Sequence, residues 1–101
     1  MKIIITESKR NRLAINWLED EYPDLKKMTF PSHEGVFISD KGMFKMLYNS
    51  RVKSFYVLNE IWDFIRSMFG FDNDEVSELL LDWGNNKFGF RAKKCYRVER
   101  I

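Results

Sequence analysis

The chain has 101 residues, a length that fits one domain with a substantial core and is too short for two. Its composition is 45% hydrophobic, with nine Phe, four Tyr and three Trp, and its net charge of +2 gives no global excess of either sign. One cysteine excludes an internal disulfide, and with one histidine it is too small a set for a zinc site, so we predict no metal, no cofactor and a reducing compartment.

The distribution of apolar residues argues against a membrane protein. The apolar run nearest the N-terminus covers residues 3–5, which is far shorter than the core of a signal peptide. No segment approaches the roughly 20 apolar residues that a membrane span needs. We therefore expect a soluble, intracellular protein with no membrane partner.

Residues 7–21 are predicted to form the first helix. Thr6 followed by Glu7 is typical of a helix N-cap with an acid in the first turn, and Pro23 ends the pattern. One face of this helix carries Leu13, Ala14, Trp17, Leu18 and Tyr22. Basic residues near the start and acidic residues near the end oppose the helix dipole, so these charges either make contacts or form a solvated face.

From residue 28 to residue 58 the apolar period changes to two. Strands are predicted over residues 36–38, 43–48 and 52–58, with turns at 40–42 and 49–51. Gly42 suits the left-handed position of a hairpin turn, and Asn49 suits the start of the next turn. These segments predict a three-stranded antiparallel meander with residues 43–48 at its centre.

Two further helices and a final strand complete the pattern. Asn59 is predicted to cap the second helix and Gly70 to end it; Asp72 or Asn73 caps the third, which ends after Trp83 at residues 84–86. Residues 90–98 then alternate and predict a strand added to the edge of the meander. The face of this strand predicted to be packed carries Phe90, Ala92, Lys94, Tyr96 and Val98.

The element order α-β-β-β-α-α-β predicts an α+β fold in one compact domain over residues 1–101. Helices are expected to cover a small antiparallel sheet. The predicted core comprises Leu13, Trp17, Leu18, Phe37, Phe44, Met46, Phe55, Val57, Trp62, Ile65, Phe69, Val76, Leu79, Leu80, Trp83 and Tyr96.

The charge reverses sign between the third helix and the final strand. All charged residues of the helix over residues 73–83 are acidic, whereas residues 87–100 carry six cations and one acid. Two adjacent surfaces of opposite sign are typical of docking. The predicted partner-binding residues are Arg91, Lys93 and Arg97 on the strand and Glu75, Glu78 and Asp82 on the helix.

Catalytic interpretations find little support in the sequence. Ser32, His33 and Glu34 are consecutive, and neighbouring side chains of an extended segment diverge rather than converge. Cys95 has several basic neighbours that would favour a thiolate, but no second histidine accompanies it. The acidic third helix also fails as a DNA recognition helix, since it would enter a polyanionic groove. We therefore predict that the protein is not an enzyme.

Several short segments form a recognisable set. They are residues 3–8, a strand ending at Leu58 and continuing as Asn-Glu-Ile-Trp at 59–62, Met-Phe-Gly at 68–70, and Leu-Leu-Leu-Asp-Trp at 79–83. In these segments the chain resembles a set of small proteins encoded by tailed bacteriophages. The resemblance implies a phage origin and a compact α+β domain. It supplies no catalytic residues, because that group has no assigned activity.

Together these observations predict a non-enzymatic, phage-encoded protein-interaction module with a phage or host protein as its partner. It would act as a small accessory component of the particle or as an inhibitor of a host protein, in the host cytoplasm or the virion. The alternative is a nucleic-acid-binding protein that uses the basic C-terminal strand together with Lys53 and an aromatic residue such as Phe55 or Tyr56. Self-association through the oppositely charged surfaces is a further possibility.

Overall fold

The computed structural model describes residues 7–101 and has the predicted α+β architecture with one additional strand. Its elements in chain order are α1 (Glu7–Glu21), β1 (Lys26–Thr29), β2 (Gly35–Asp40), β3 (Met43–Asn49), β4 (Ser54–Leu58), α2 (Asn59–Phe69), α3 (Asn73–Phe88) and β5 (Lys94–Val98). The predicted order of elements is therefore confirmed, with β1 added before the meander. Thr6, the predicted cap of α1, lies outside the described residues.

The five strands form one sheet in the order β1-β2-β3-β4-β5. The first four make an antiparallel meander, and a bulge between Ile38 and Ser39 interrupts the pairing of β2 with β3. β5 lies at the edge, as predicted, but it runs parallel to β4, with Lys94 opposite Ser54. A parallel neighbour needs a long crossover connection, and α2 and α3 supply it.

The hydrophobic core lies between the helices and one face of the sheet. The strands contribute Ile38, Met46, Tyr48, Phe55, Val57 and Cys95 to this face. The core-facing residues of the helices include Ala14, Leu18, Ile61, Trp62, Ile65, Val76, Leu79, Leu80 and Trp83. None of the helices in the described chain has the length and apolar character of a membrane span.

Most of the predicted core residues are buried, and the exceptions follow a pattern. Leu13 and Tyr96 are 48% and 42% exposed, so these two predictions are wrong. Phe37 and Phe44 lie partly exposed on the opposite face of the sheet, where no helix of residues 7–101 packs; we call this the helix-free face. Sequence periodicity identified apolar strand residues but did not tell which of the two faces the helices cover.

The predicted ends of the helices need two corrections. Leu58, not Asn59, occupies the cap position of α2, while Asp72 caps α3 in a capping box with Glu75. α3 also continues past Trp83 to Phe88 and ends at Gly89, which has a φ of 71°. Gly84 is buried in its interior, where a Cβ atom would lie 2.7 Å from the Phe55 ring. The glycine therefore serves close packing of helix on sheet rather than helix termination.

The final strand is shorter than predicted, and its packed face is the other one. It covers Lys94–Val98, with Cys95 buried opposite Phe55 and Tyr96 exposed beside Tyr56. The residues before it are irregular because the Asn85 side chain accepts from the amide of Ala92 and donates to its carbonyl, at 2.9 and 3.0 Å. Pairing with β4, rather than the local alternation, decides which side chains enter the core.

Candidate functional site

The acidic helix and the basic strand meet at a cleft of about 710 Å³ between α3 and β5. Its walls are formed by one face of α3 and by residues 93–97, and Trp62 closes one end. The helix contributes Asn73, Asp74, Ser77, Glu78 and Leu81. Spacings of one, four, five and eight residues place these side chains on a single helical face.

β5 lines the cleft with its edge rather than with one face. Four consecutive strand residues contribute, with Lys93 just before them, whereas a sheet face would contribute every second residue. The amide of Lys94 points to the Lys53 carbonyl on the β4 side, at 3.4 Å. The carbonyl of Cys95 points the other way and accepts a hydrogen bond from the Ser77 hydroxyl at 3.1 Å. No strand of the described chain pairs with this outer edge.

Several contacts fix the position of α3 along the strand. The Asp72 capping box sets its first turn, and the Trp62 indole donates to the Asn73 side chain at 3.1 Å. Ser77 contacts Cys95, and Asn85, two turns later, holds Ala92. Because later residues of the helix contact earlier residues of the strand, the two elements run antiparallel along the length of the cleft.

Arg97 is not the free cation that the sequence predicted. Its guanidinium makes a bidentate ion pair with Asp63 of α2, with both N–O distances at 2.8 Å, and this hydrogen bonding holds the pKa of Asp63 below its usual value. Arg97 therefore lies on the same face as Cys95, beneath the helices. Arg91 and Lys93 are exposed but precede the strand. The prediction that Arg91, Lys93 and Arg97 share one polar strand face is thus wrong.

The predicted acidic residues also separate. Glu78 is exposed in the cleft together with Lys93 and Arg97. Glu75 is occupied elsewhere, since it completes the capping box and forms an ion pair with Arg10 of α1. Asp82 lines a smaller groove of about 350 Å³ between α1 and α3. Of the six predicted residues, the cleft therefore brings together three.

Sequence reasoning missed two residues that shape this site. Asp63 neutralises Arg97 from 34 positions away, and no local pattern links the two. Ser77 contacts the strand edge; its spacing of four residues from Asn73 and Leu81 was the available signal, because it placed Ser77 on their helical face.

The nucleophile and histidine considered in the sequence have structural roles. Burial raises the pKa of the Cys95 thiol to about 12, so the thiol is protonated at neutral pH. His33 accepts a hydrogen bond from the Gly35 amide at 2.9 Å and packs against Phe37. Within residues 7–101 no group of three or more histidine, cysteine or acidic side chains is arranged to hold a metal.

Comparison of the chain with protein-family models, curated proteins and solved structures found no match. The resemblance to tailed-phage proteins therefore remains a prediction.

Proposed function

We propose that this protein is a non-enzymatic protein-interaction module whose partner docks in the cleft between α3 and β5. The observation that carries the proposal is the combination of a strand edge with which no strand of residues 7–101 pairs and a helix face that presents Asp74 and Glu78. A strand edge offers backbone donors and acceptors to another chain, and charged side chains beside it select among partners.

The composition of the cleft supports a protein partner rather than a small molecule. Leu81 and the exposed Tyr96 give the cleft apolar surface beside its charged residues, and interfaces commonly combine aromatic residues with a polar rim. The cleft follows the length of β5 and is open to solvent along it. An extended segment of another protein suits that shape.

The proposal keeps the phage setting that the resemblance implies. In that setting the protein acts in the host cytoplasm or the virion, either as a small accessory component of the particle or as an inhibitor of a host protein. A compact module with one docking cleft serves either role.

The test is selection from a random linear peptide library on the immobilised protein. Peptides enriched on the natural protein should lose at least about tenfold in affinity on Glu78→Arg, which replaces one of the two acids of the cleft with a cation. Asp20→Arg changes an exposed acid of α1 in the same way and should leave affinity within about threefold. Enrichment that is insensitive to Glu78→Arg would place the docking surface elsewhere.

Nucleic-acid binding is a second candidate function, and the helix-free face favours it. Tyr56 and Tyr96 stack there with ring centroids 5.8 Å apart, and Lys94 lies on the same face. The Lys53 carbonyl accepts from the amides of Lys93 and Lys94, so three lysines meet at this end of the sheet. None of the strand residues described on this face is acidic. Aromatic rings beside lysines suit stacking of bases and neutralisation of phosphates.

Fluorescence anisotropy with a labelled oligothymidine of about 15 nucleotides tests this candidate. Lys53→Glu and Tyr56→Ala should each weaken binding several-fold, and affinity should fall steeply with salt. Lys41→Glu is the matched control, because Lys41 is also an exposed turn lysine with positive φ and lies in the β2–β3 turn. Binding that is equally weakened by Lys41→Glu would indicate attraction to net charge alone.

A further inference from the structure

We infer that the cleft receives an extended peptide that pairs with the outer edge of β5 as a sixth strand and directs two basic side chains, at alternate positions, toward Asp74 and Glu78. This mode of binding rests on the proposed function and adds to it the form of the partner and its sequence character. Three observations carry it: the direction of the backbone groups of β5, the spacing of the two acids, and the distribution of charge around them.

Backbone direction shows which groups are available. Successive residues of a strand direct their N–H and C=O groups to opposite edges. The amide of Lys94 points toward β4 and the carbonyl of Cys95 points toward α3, so the backbone groups of Cys95 and Arg97 face the cleft. Ser77 uses one lone pair of the Cys95 carbonyl, and the second lone pair can accept from an incoming amide. The edge therefore offers the backbone groups of Cys95 and Arg97 to an incoming strand.

The spacing of the acids matches the repeat of a strand. Asp74 and Glu78 are four residues apart on α3, which is about 6 Å along the helix. Alternate residues of a strand lie about 6.6 Å apart and point to the same side. α3 runs along β5. A strand paired with β5 would therefore present two alternate side chains to α3, one to the carboxylate of Asp74 and the next to that of Glu78.

The charge distribution selects basic side chains. Three cations, Lys93, Lys94 and Arg97, line the cleft beside its two acids. Arg97 is paired with Asp63, so it does not neutralise the helix face. Because α3 and β5 run antiparallel, Lys93 lies toward Leu81, at the opposite end of the cleft from Asp74. The side chain of Lys94 belongs to the helix-free face, because Lys94 alternates with Cys95, which is buried in the core. Asp74 and Glu78 are exposed on the side that the partner would meet. An acidic segment would be repelled there, and a segment with alternating Lys or Arg would be attracted.

Binding of acetyl-Thr-Lys-Val-Lys-Thr-amide to the full chain tests the sequence character. Titration followed by the amide NMR signals of Cys95 and Arg97 should show shifts at these residues. The matched peptide with both lysines replaced by glutamate should bind at least about tenfold more weakly. Equal affinity of the two peptides, or no binding of the lysine peptide, would overturn the proposal.

Two N-methylated forms of the lysine peptide test backbone pairing without altering the protein. One carries the methyl group on the amide of residue 2 and the other on the amide of residue 3. Adjacent amides of a paired strand face opposite edges, so one form should lose at least about tenfold in affinity and the other should bind like the parent. If both bind like the parent, strand pairing is wrong, while peptides that depend on Glu78 would still support the proposed function.

A pair of variants tests the same hydrogen bonds from the protein side. Arg97→Ala and Arg97→Pro both remove the ion pair with Asp63, but only proline also removes the amide that faces the cleft. Proline is tolerated at an edge strand when its missing N–H faces away from the sheet. We expect Arg97→Pro to bind the lysine peptide at least about tenfold more weakly than Arg97→Ala, because both variants lack the ion pair and only the proline variant lacks the amide. Equal binding by the two folded variants would overturn the proposal; if Arg97→Pro does not fold, the N-methylated peptides decide.

Discussion

Cys95 shows how tertiary contacts override the chemistry that a local sequence indicates. Its basic neighbours would favour a thiolate, yet the strand register turns the side chain into the core opposite Phe55. Burial raises its pKa to about 12, so the cationic neighbours along the chain do not activate it. The lysine beside it in sequence, Lys94, is on the other face of the sheet.

We predict that the thiol of the folded protein resists Ellman's reagent at about pH 8. Reaction should proceed only as fast as the protein opens, because the reagent has no access to the buried sulfur. Absorbance at the thionitrobenzoate band measures the rate, and the same protein in guanidinium chloride provides the fully reactive control. Complete reaction within seconds without denaturant would contradict the buried placement.

α3 is an element whose length the sequence underestimates. Gly84 and two asparagines follow Trp83, a combination that usually ends a helix. The helix continues because Gly84 allows close contact with Phe55 and because the Asn85 side chain binds both backbone groups of Ala92. Gly84 and Asn85 therefore hold the helix to the sheet and to the segment before β5.

We expect Gly84→Ala to destabilise the protein although alanine is the better helix former. The gain in helix propensity is about 1 kcal/mol, whereas a Cβ 2.7 Å from the ring of fully buried Phe55 forces repacking that costs about 1–3 kcal/mol. Urea denaturation should show a net loss of up to about 2 kcal/mol in the free energy of unfolding. In the double variant with Phe55→Leu the effect of Gly84→Ala should shrink, and an unchanged effect would mean that the ring is not the obstacle.

Elements with a strong period of apolar residues were predictable from the sequence. Elements that are defined by pairing between strands were not. The strands of the meander and the stripe of α2 follow from their apolar spacing. β1 was missed because all four of its residues are exposed, so it carries no burial pattern. The packed face of β5 was reversed because apolar and basic residues occur on both of its faces. For the same reason the cleft was predicted as two separate charged surfaces.

At the scale of the whole molecule, charges that oppose the dipole of α1 attach this helix to α3. Near its start Arg10 pairs with Glu75, donates to the Gly70 carbonyl and lies over the Phe71 ring. Near its end Glu19 accepts from Trp83 at 3.0 Å and from Lys87 at 2.6 Å. The sequence left two interpretations of these charges, contacts with another element or a solvated face. Arg10 and Glu19 make contacts with another element.

We expect Glu19 to contribute a stability term that is lost in acid. Partial burial alone would raise its pKa, but hydrogen bonds from Lys87 and Trp83 outweigh this and lower the pKa in the folded protein. The contribution is therefore present above the ordinary glutamate pKa of about 4.3 and is lost as pH falls through the lower folded value. Urea denaturation at neutral pH and at about pH 3.5 should show a smaller acid loss for Glu19→Gln than for the natural protein. Asp20→Asn is the control, and an acid loss unchanged in Glu19→Gln would exclude this contribution.

Self-association remains a prediction at the same scale. A second copy would have to bring its lysine-rich sheet end against the acidic face of α3, and such pairing between exposed charges weakens with salt. Sedimentation should then show association at about 50 mM NaCl and a monomer at about 500 mM NaCl. A monomer at both ionic strengths would contradict self-association and leave the docking of a different partner unaffected.

The parallel junction of β4 and β5 also bears on how fast the protein reaches its native state. Lys94 pairs with Ser54, which lies 40 positions earlier in the chain, whereas each hairpin of the meander closes over a few residues. Contacts so distant in sequence form slowly, because the entropy of closing the loop is lost before any pairing compensates for it. The meander can therefore form early. β5 joins it only after α2 and α3 have folded against the meander. Until then no cleft exists, so the capacity to bind should appear in the last kinetic phase of refolding.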